Sequence, residues 1–217
     1  MFCPMSQPLR YIVVFLWSSF LLACQQPQKP TSDAATLNPG APIATGTASP
    51  AINPYATVDI SPMDMSYWPN DYPKLQFTGD VKTAPLARVI YSRPHLQGRK
   101  LFTDILQYEQ GWRLGANEAT ELQLFKDAFI ENQLIKAGRY TLSCIPHPDT
   151  WTFVLSSTTD IWGVQPAKNT DVARFNVPVI KTGLALEYFT MVFQEKEEKA
   201  ELIVAWENWE ARIQFKF

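Results

Sequence analysis

The chain has 217 residues, 46% of them hydrophobic and 13% aromatic, which is ample for one domain with a substantial core. With 19 basic side chains against 21 acidic ones the formal charge is -2, so there is no single-sign field to condense on a nucleic-acid backbone, and nucleic acid is excluded as an expected partner. Of the three cysteines, Cys3 and Cys24 lie near the N-terminus and only Cys144 lies in the body, which excludes an intramolecular disulfide framework there.

Met1 to Arg10 carries a single basic side chain, and Tyr11 to Leu22 (YIVVFLWSSFLL) is a predominantly apolar, uncharged run. About a dozen apolar residues fall short of the roughly 20 needed to span hydrocarbon, so residues 1–23 read as a secretory leader. Its end, Leu21-Leu22-Ala23-Cys24, resembles a bacterial lipobox, in which the leader is cut before the cysteine and the thiol receives a diacylglycerol. Cys24 is thus the expected lipidation site and the membrane the expected partner. Each buried methylene contributes about 0.8 kcal/mol, so two or three acyl chains make dissociation negligible.

From Cys24 to Asp59 the composition is Pro, Ala, Thr, Ser, Gln and Asn, too poor in large apolar residues to offset ordering entropy. This stretch reads as a linker reaching about 30 Å as a coil, or about 90 Å as extended polyproline. No acidic run follows Cys24 in Gln25-Gln26-Pro27-Gln28-Lys29, which places the expected location on the periplasmic side of an outer membrane.

Residues 60–217 read as a single domain. Its first part, 60–85, is Pro-rich but carries Met63, Met65, Tyr67, Trp68 and Tyr72, and is expected to pack as an irregular arm. Beyond it the dominant period is two. Tyr140, Leu142 and Cys144 alternate with polar neighbours, as do Trp151, Phe153 and Leu155, and the Pro-punctuated segment 145–149 joins these two strands. Residues 184–193 and 200–206 read as central strands apolar on both faces, with the charged run 194–199 as their turn. Residues 86–91, 120–125, 128–131 and 212–217 supply the remaining strands, with Asn132-Gln133 as a hairpin turn. About eight short strands and almost no helical period outside the leader predict an all-β, antiparallel β-sandwich of jelly-roll type.

One polar constellation stands out: Arg93, Arg99 and Arg113 with Asn117 and Glu118. Guanidinium forks suit a carboxylate, phosphate or sulfate; Asn117 adds donors and an acceptor; Glu118 can orient an arginine or accept from a sugar hydroxyl. The competing reading is structural, with Glu118 paired to the arginines and Gly115, Asn117 and Thr120 shaping a tight loop. Cys144, His147 and Asp149 suggest a nucleophile with a base, but Cys144 shares the apolar face of its strand and reads as a buried thiol. His95 and His147 lack metal-ligand spacing, and no cofactor motif is present. Trp68, Trp162 and Trp209 are candidates for stacking on sugars or for core packing.

Tyr91-Ser92-Arg93-Pro94, Gly98-Arg99, Trp112-Arg113-x-Gly115-Ala116-Asn117-Glu118-Ala119-Thr120, Ala137-Gly138-x-Tyr140-Thr141-Leu142 and Ile145-Pro146 occur in that order. From about Ala87 to the C-terminus the chain resembles domain of unknown function 2911, a family of bacterial envelope proteins, many with lipoprotein leaders. The resemblance implies a single domain in the envelope and carries over no activity and no catalytic residue. The expected function is non-catalytic binding of a small anionic or carbohydrate ligand, or of an envelope partner. The alternatives are an enzyme acting on envelope glycan or peptide with Glu118 as acid or base, and a purely structural lipoprotein.

Overall fold

The computed structural model describes residues 59–163, 170–197 and 199–217. The expected leader, the lipidated Cys24 and the linker up to residue 58 lie outside the described residues.

Nine antiparallel strands form the domain: β1 (Met63–Trp68), β2 (Ala87–Ser92), β3 (Glu121–Leu124), β4 (Ala128–Ile130), β5 (Gln133–Ile135), β6 (Gly138–Pro146), β7 (Thr150–Ser156), β8 (Asp171–Lys196) and β9 (Lys199–Lys216). They follow one another in a single open sheet in the order β1-β2-β3-β6-β7-β8-β9-β4-β5. The all-β antiparallel expectation is met, with the nine strands joined in one open, curved sheet.

Curvature comes from the last two strands. The first part of β8 pairs with β7 up to Pro178 opposite Thr150, and from Val179 opposite Ala211 it pairs with β9. Proline cannot donate to a ladder, and here it stands where the strand exchanges one partner for the next. The β8–β9 register shifts twice between Lys181 and Thr190, and Glu207 on β9 has a φ of 52°. The hairpin therefore bends, so that Glu201 on the first half of β9 meets Arg212 and Gln214 on the second. Hydrogen bonds from Leu96 N to Glu187 O and from Phe189 N to Pro94 O tie the segment after β2 onto the outer half of β8.

The alternation read from sequence is realised at β6 and β7, whose Cys144, Leu142, Trp151, Phe153 and Leu155 are all buried in the core. Four readings are corrected. The irregular arm contains β1, paired along its length with β2, and a short helix α1 (Tyr72–Thr78). Pro near the start of α1 and Gly79 at its end, where Asp80 N–H returns to Leu75 O at 2.9 Å, are the signals of a helix too short to show periodicity. The β4–β5 turn is Glu131-Asn132, with φ of 45° and 66°, one residue earlier than expected. Residues 184–193 bury only Phe189, Met191 and Phe193, leaving Leu184, Tyr188 and Val192 exposed. The separate strands at 200–206 and 212–217 are one strand, β9.

Candidate functional site

The block 112–120 forms a loop that crosses the end of the sheet. Trp112 bridges to Cys144 through both of its backbone groups, N–H to O at 2.7 Å and O from N–H at 2.8 Å. Its indole is 5% exposed, between Trp151, Phe189 and Trp206. Leu114, fully buried, pins the middle of the loop, and Thr120 Oγ1 donates to its carbonyl at 2.5 Å. Ser92 at the end of β2 closes the other side: its hydroxyl donates to Ala116 O and accepts from Ala116 N–H at 2.6 Å.

Gly115 is required by that closure. A Cβ there would lie 2.7 Å from Ser92 Oγ and 3.1 Å from Ser92 O, and the hydroxyl is already fixed by its two bonds. Gly115→Ala is expected to lose about 2–3 kcal/mol in urea unfolding. Gly98→Ala, at a site with open space and a φ of +75°, is expected to lose only about 1 kcal/mol.

The structure separates the five candidate residues into three places. Arg99, Arg113 and Asn117 line one cavity of about 650 Å³, together with Ser61, Pro94, Ile105, Leu106, Trp112 and Trp206. Arg99 donates Nε to Leu96 O at 2.8 Å and Nη2 to His95 O at 3.0 Å. Arg113 donates Nη1 to Asn117 O at 2.7 Å, and its guanidinium lies under Gly163, where a Cβ would come within 3.3 Å of Cζ. Asn117 adopts a φ of 63°, and its amide reaches outward to Asp59.

Arg93 serves a different cavity, of about 600 Å³, between β1 and β8. It donates to Asp64 Oδ2 at 3.1 Å, Phe189 O at 3.2 Å and Thr190 Oγ1 at 3.3 Å, clamping β1 and β2 to β8. Tyr91 lies beneath it, 2% exposed, and burial pushes its hydroxyl up to about 12, so it remains protonated at neutral pH. Glu118 stands exposed, pairs with none of the arginines among the described residues, and lines a small cavity of about 280 Å³ with Glu121 and Asp160. Both of those neighbours are held by Arg139, whose hydrogen bond keeps the Asp160 carboxyl below its ordinary range. General-acid work needs a carboxyl withdrawn from water, which Glu118 is not.

The other sequence candidates are spread as well. Cys144 is fully buried and burial raises its thiol well above the ordinary value, the opposite of an activated nucleophile. His95 stacks on Tyr188 with ring centroids 5.2 Å apart, its Nδ1 3.7 Å from Glu187 Oε1. Trp162 is 64% exposed, whereas Trp68 and Trp209 pack against the core. Ser61 and Trp206 had no signal as cavity residues, since a residue before β1 and one deep in β9 reach the loop only through the tertiary fold.

A family model described as "Protein of unknown function (DUF2911)" matches residues 73–215, which span β2 to β9 and the whole loop. Searches of curated proteins and of solved structures give no significant match.

Proposed function

We propose, for a chain that belongs to the DUF2911 family, that its β-domain binds a small anionic ligand in the cavity of Arg99, Arg113 and Asn117, and that Cys24 carries a lipid holding it to the bacterial envelope. One contrast supports the ligand reading. Arg93, Arg139, Arg174 and Arg212 each have a carboxylate within 4 Å, whereas among the described residues Arg99 and Arg113 have none; Arg88 also has none, but it lies away from this cavity and its Nη2 donates to Gln123 Oε1. Among the described residues no acidic side chain lines their cavity. Arg99 Nη1 and Arg113 Nε and Nη2 have no protein acceptor among the described residues. Two cations without counter-charge beside a cavity, with donors to spare, suit a carboxylate or phosphate.

The cavity is also much larger than a bare inorganic anion, and Pro94, Ile105 and Leu106 give it an apolar wall. A ligand carrying its charge on a ring or short chain fills that shape, and a sugar acid combines the anionic and carbohydrate expectations. Arg113 also holds the Asn117 carbonyl, so the loop is shaped by the residue that would bind.

Calorimetric titration with glucuronate, with glucose as the neutral comparison, tests the reading. Arg99→Ala and Arg113→Lys are each expected to weaken glucuronate about 10-fold or more, because a charge-assisted hydrogen bond contributes about 1.5–3 kcal/mol and lysine keeps the charge without the fork. Glucose binding as well as glucuronate, or insensitivity to both substitutions, would sink the anion site.

The anchor rests on the leader 1–23, the Leu21-Leu22-Ala23-Cys24 end and the polar linker after it, and the residues after Cys24 favour the periplasmic face of an outer membrane. Metabolic labelling with palmitate is expected to mark the wild-type chain and to be lost in Cys24→Ala; label persisting in that variant would exclude this cysteine as the anchor.

A further inference from the structure

The cavity has a carboxylate of its own chain at the rim. Asn117 Nδ2 donates to Asp59 Oδ2 at 2.6 Å, while Asp59 Oδ1 accepts the Ser61 N–H at 2.8 Å. Ser61 is 7% exposed and is itself part of the cavity wall. The chain is fixed immediately afterwards: Arg93 N–H donates to Pro62 O at 2.9 Å, and β1 enters its ladder with Met63 opposite Ser92. The domain's N-terminal entry thus passes the mouth of the cavity, and an exposed acidic side chain there takes up the amide of a cavity residue.

Two features make this contact more than a surface hydrogen bond. The same residue, Asn117, is held from inside by Arg113 Nη1 and by Gly163 N–H at 3.1 Å, both on its backbone carbonyl, so its backbone is anchored at the cavity while its side-chain amide is left to the Asp59 carboxylate. And Asp59 is the kind of group that the two free guanidiniums would attract, yet its carboxylate is bound by the neutral amide and lies beyond 4 Å from either arginine.

We propose, resting on the anion-site reading, that Asp59 is a built-in competitor: an anion seated on Arg99 and Arg113 takes over the Asn117 amide and displaces the Asp59 carboxylate. Displacement follows from two causes. Asp59 loses its donor, and it gains a like charge as neighbour. The release stops at Ser61, because Pro62 and Met63 are held by β2 whatever the cavity contains. By linkage the effect is reciprocal, so the factor by which Asp59 weakens the ligand is the factor by which the ligand weakens the Asp59 contact. For a single charge-assisted bond at an exposed carboxylate that factor is about 3–10-fold. Ligand occupancy is thereby felt at the N-terminal entry of the domain.

The test uses the full chain in detergent, titrated calorimetrically with glucuronate as wild type, Asp59→Ala, Asp59→Asn and Arg99→Ala, and followed by hydrogen exchange at the Ser61 amide. Competition predicts glucuronate binding about 3–10-fold tighter in Asp59→Ala, an intermediate gain in Asp59→Asn, and faster Ser61 exchange in the wild type when glucuronate is added. Unchanged or weaker binding in Asp59→Ala, with Arg99→Ala still impaired, overturns the competitor and leaves the anion site standing. Absence of binding in wild type and Asp59→Ala alike removes the anion site and the competitor together.

Discussion

Trp112→Ala is expected to destabilise the domain by about 3–5 kcal/mol, the range for deleting a buried aromatic side chain. The indole touches Trp151 edge-on at 5.7 Å, Phe189 at 4.9 Å and Trp206 at 6.0 Å, so its removal leaves a void whose lining cannot close without moving three other large rings. The bridge to Cys144 uses backbone groups only and survives the substitution, so the loss measures packing rather than strand pairing. In urea the midpoint should fall with the slope unchanged. Trp112→Phe, which refills most of the space, should lose about half as much and guards against a variant that does not fold. Trp162→Ala, at a 64% exposed position, is expected within about 0.5 kcal/mol of wild type. A Trp112→Ala loss below about 1.5 kcal/mol would mean that the ring cluster is not what holds the 112–120 loop.

This loop also shows how far sequence carries. Its density of Gly, Asn and Thr is legible as a tight turn, because each of those residue types answers a local demand: close approach at Gly115, left-handed backbone at Asn117, a hydroxyl reaching back to Leu114 O. β6 and β7 are legible for a similar reason, since the large apolar residues of each stand on one face and period two follows, although Val154 and Ser156 on the other face of β7 are buried as well. β8 was half legible. Ala173, Phe175 and Val177 alternate as cleanly as any stretch in the chain, but Pro178 argues against a continuing strand unless the change of partner at that point is known. The arginines were the least legible part. Arg93 and Arg99 are six residues apart, yet Asp64, 29 residues earlier, and Phe189, 96 residues later, draw Arg93 to a different cavity. Proximity in sequence grouped what long-range partners separate. Ser61 and Trp206 were invisible for the same reason.

The second large effect is expected at Glu201, a carboxyl fully buried on β9. Burial alone would push its carboxyl up, but hydrogen bonds from Gln214, Gln194, Arg212 and Lys196 together outweigh burial and hold it below the ordinary 4.5. A depressed carboxylate contributes stability that is present above the unfolded-state value and is lost as pH falls through the folded one, so this network should stabilise the domain at neutral pH and fail in acid. Arg212 is the donor to remove, because it also binds Glu210 at 2.6 Å, and without it two carboxylates share a site with only Lys196, 3.4 Å from Glu201, as counter-charge. Arg212→Met is expected to cost about 2–3 kcal/mol at pH 7, below the full cost of orphaning a buried charge because the guanidinium is 36% exposed and partly screened. Lowering the pH should shrink the difference between variant and wild type, since in the variant burial favours a protonated Glu201 while in the wild type acid removes the stabilising charge. Adding Glu201→Met to Arg212→Met should recover at least half of the loss by removing the orphaned charge. Urea unfolding at pH 7 and near pH 4 reads all three, and a double variant as unstable as the single one would show that the site is held by shape rather than by the paired charge.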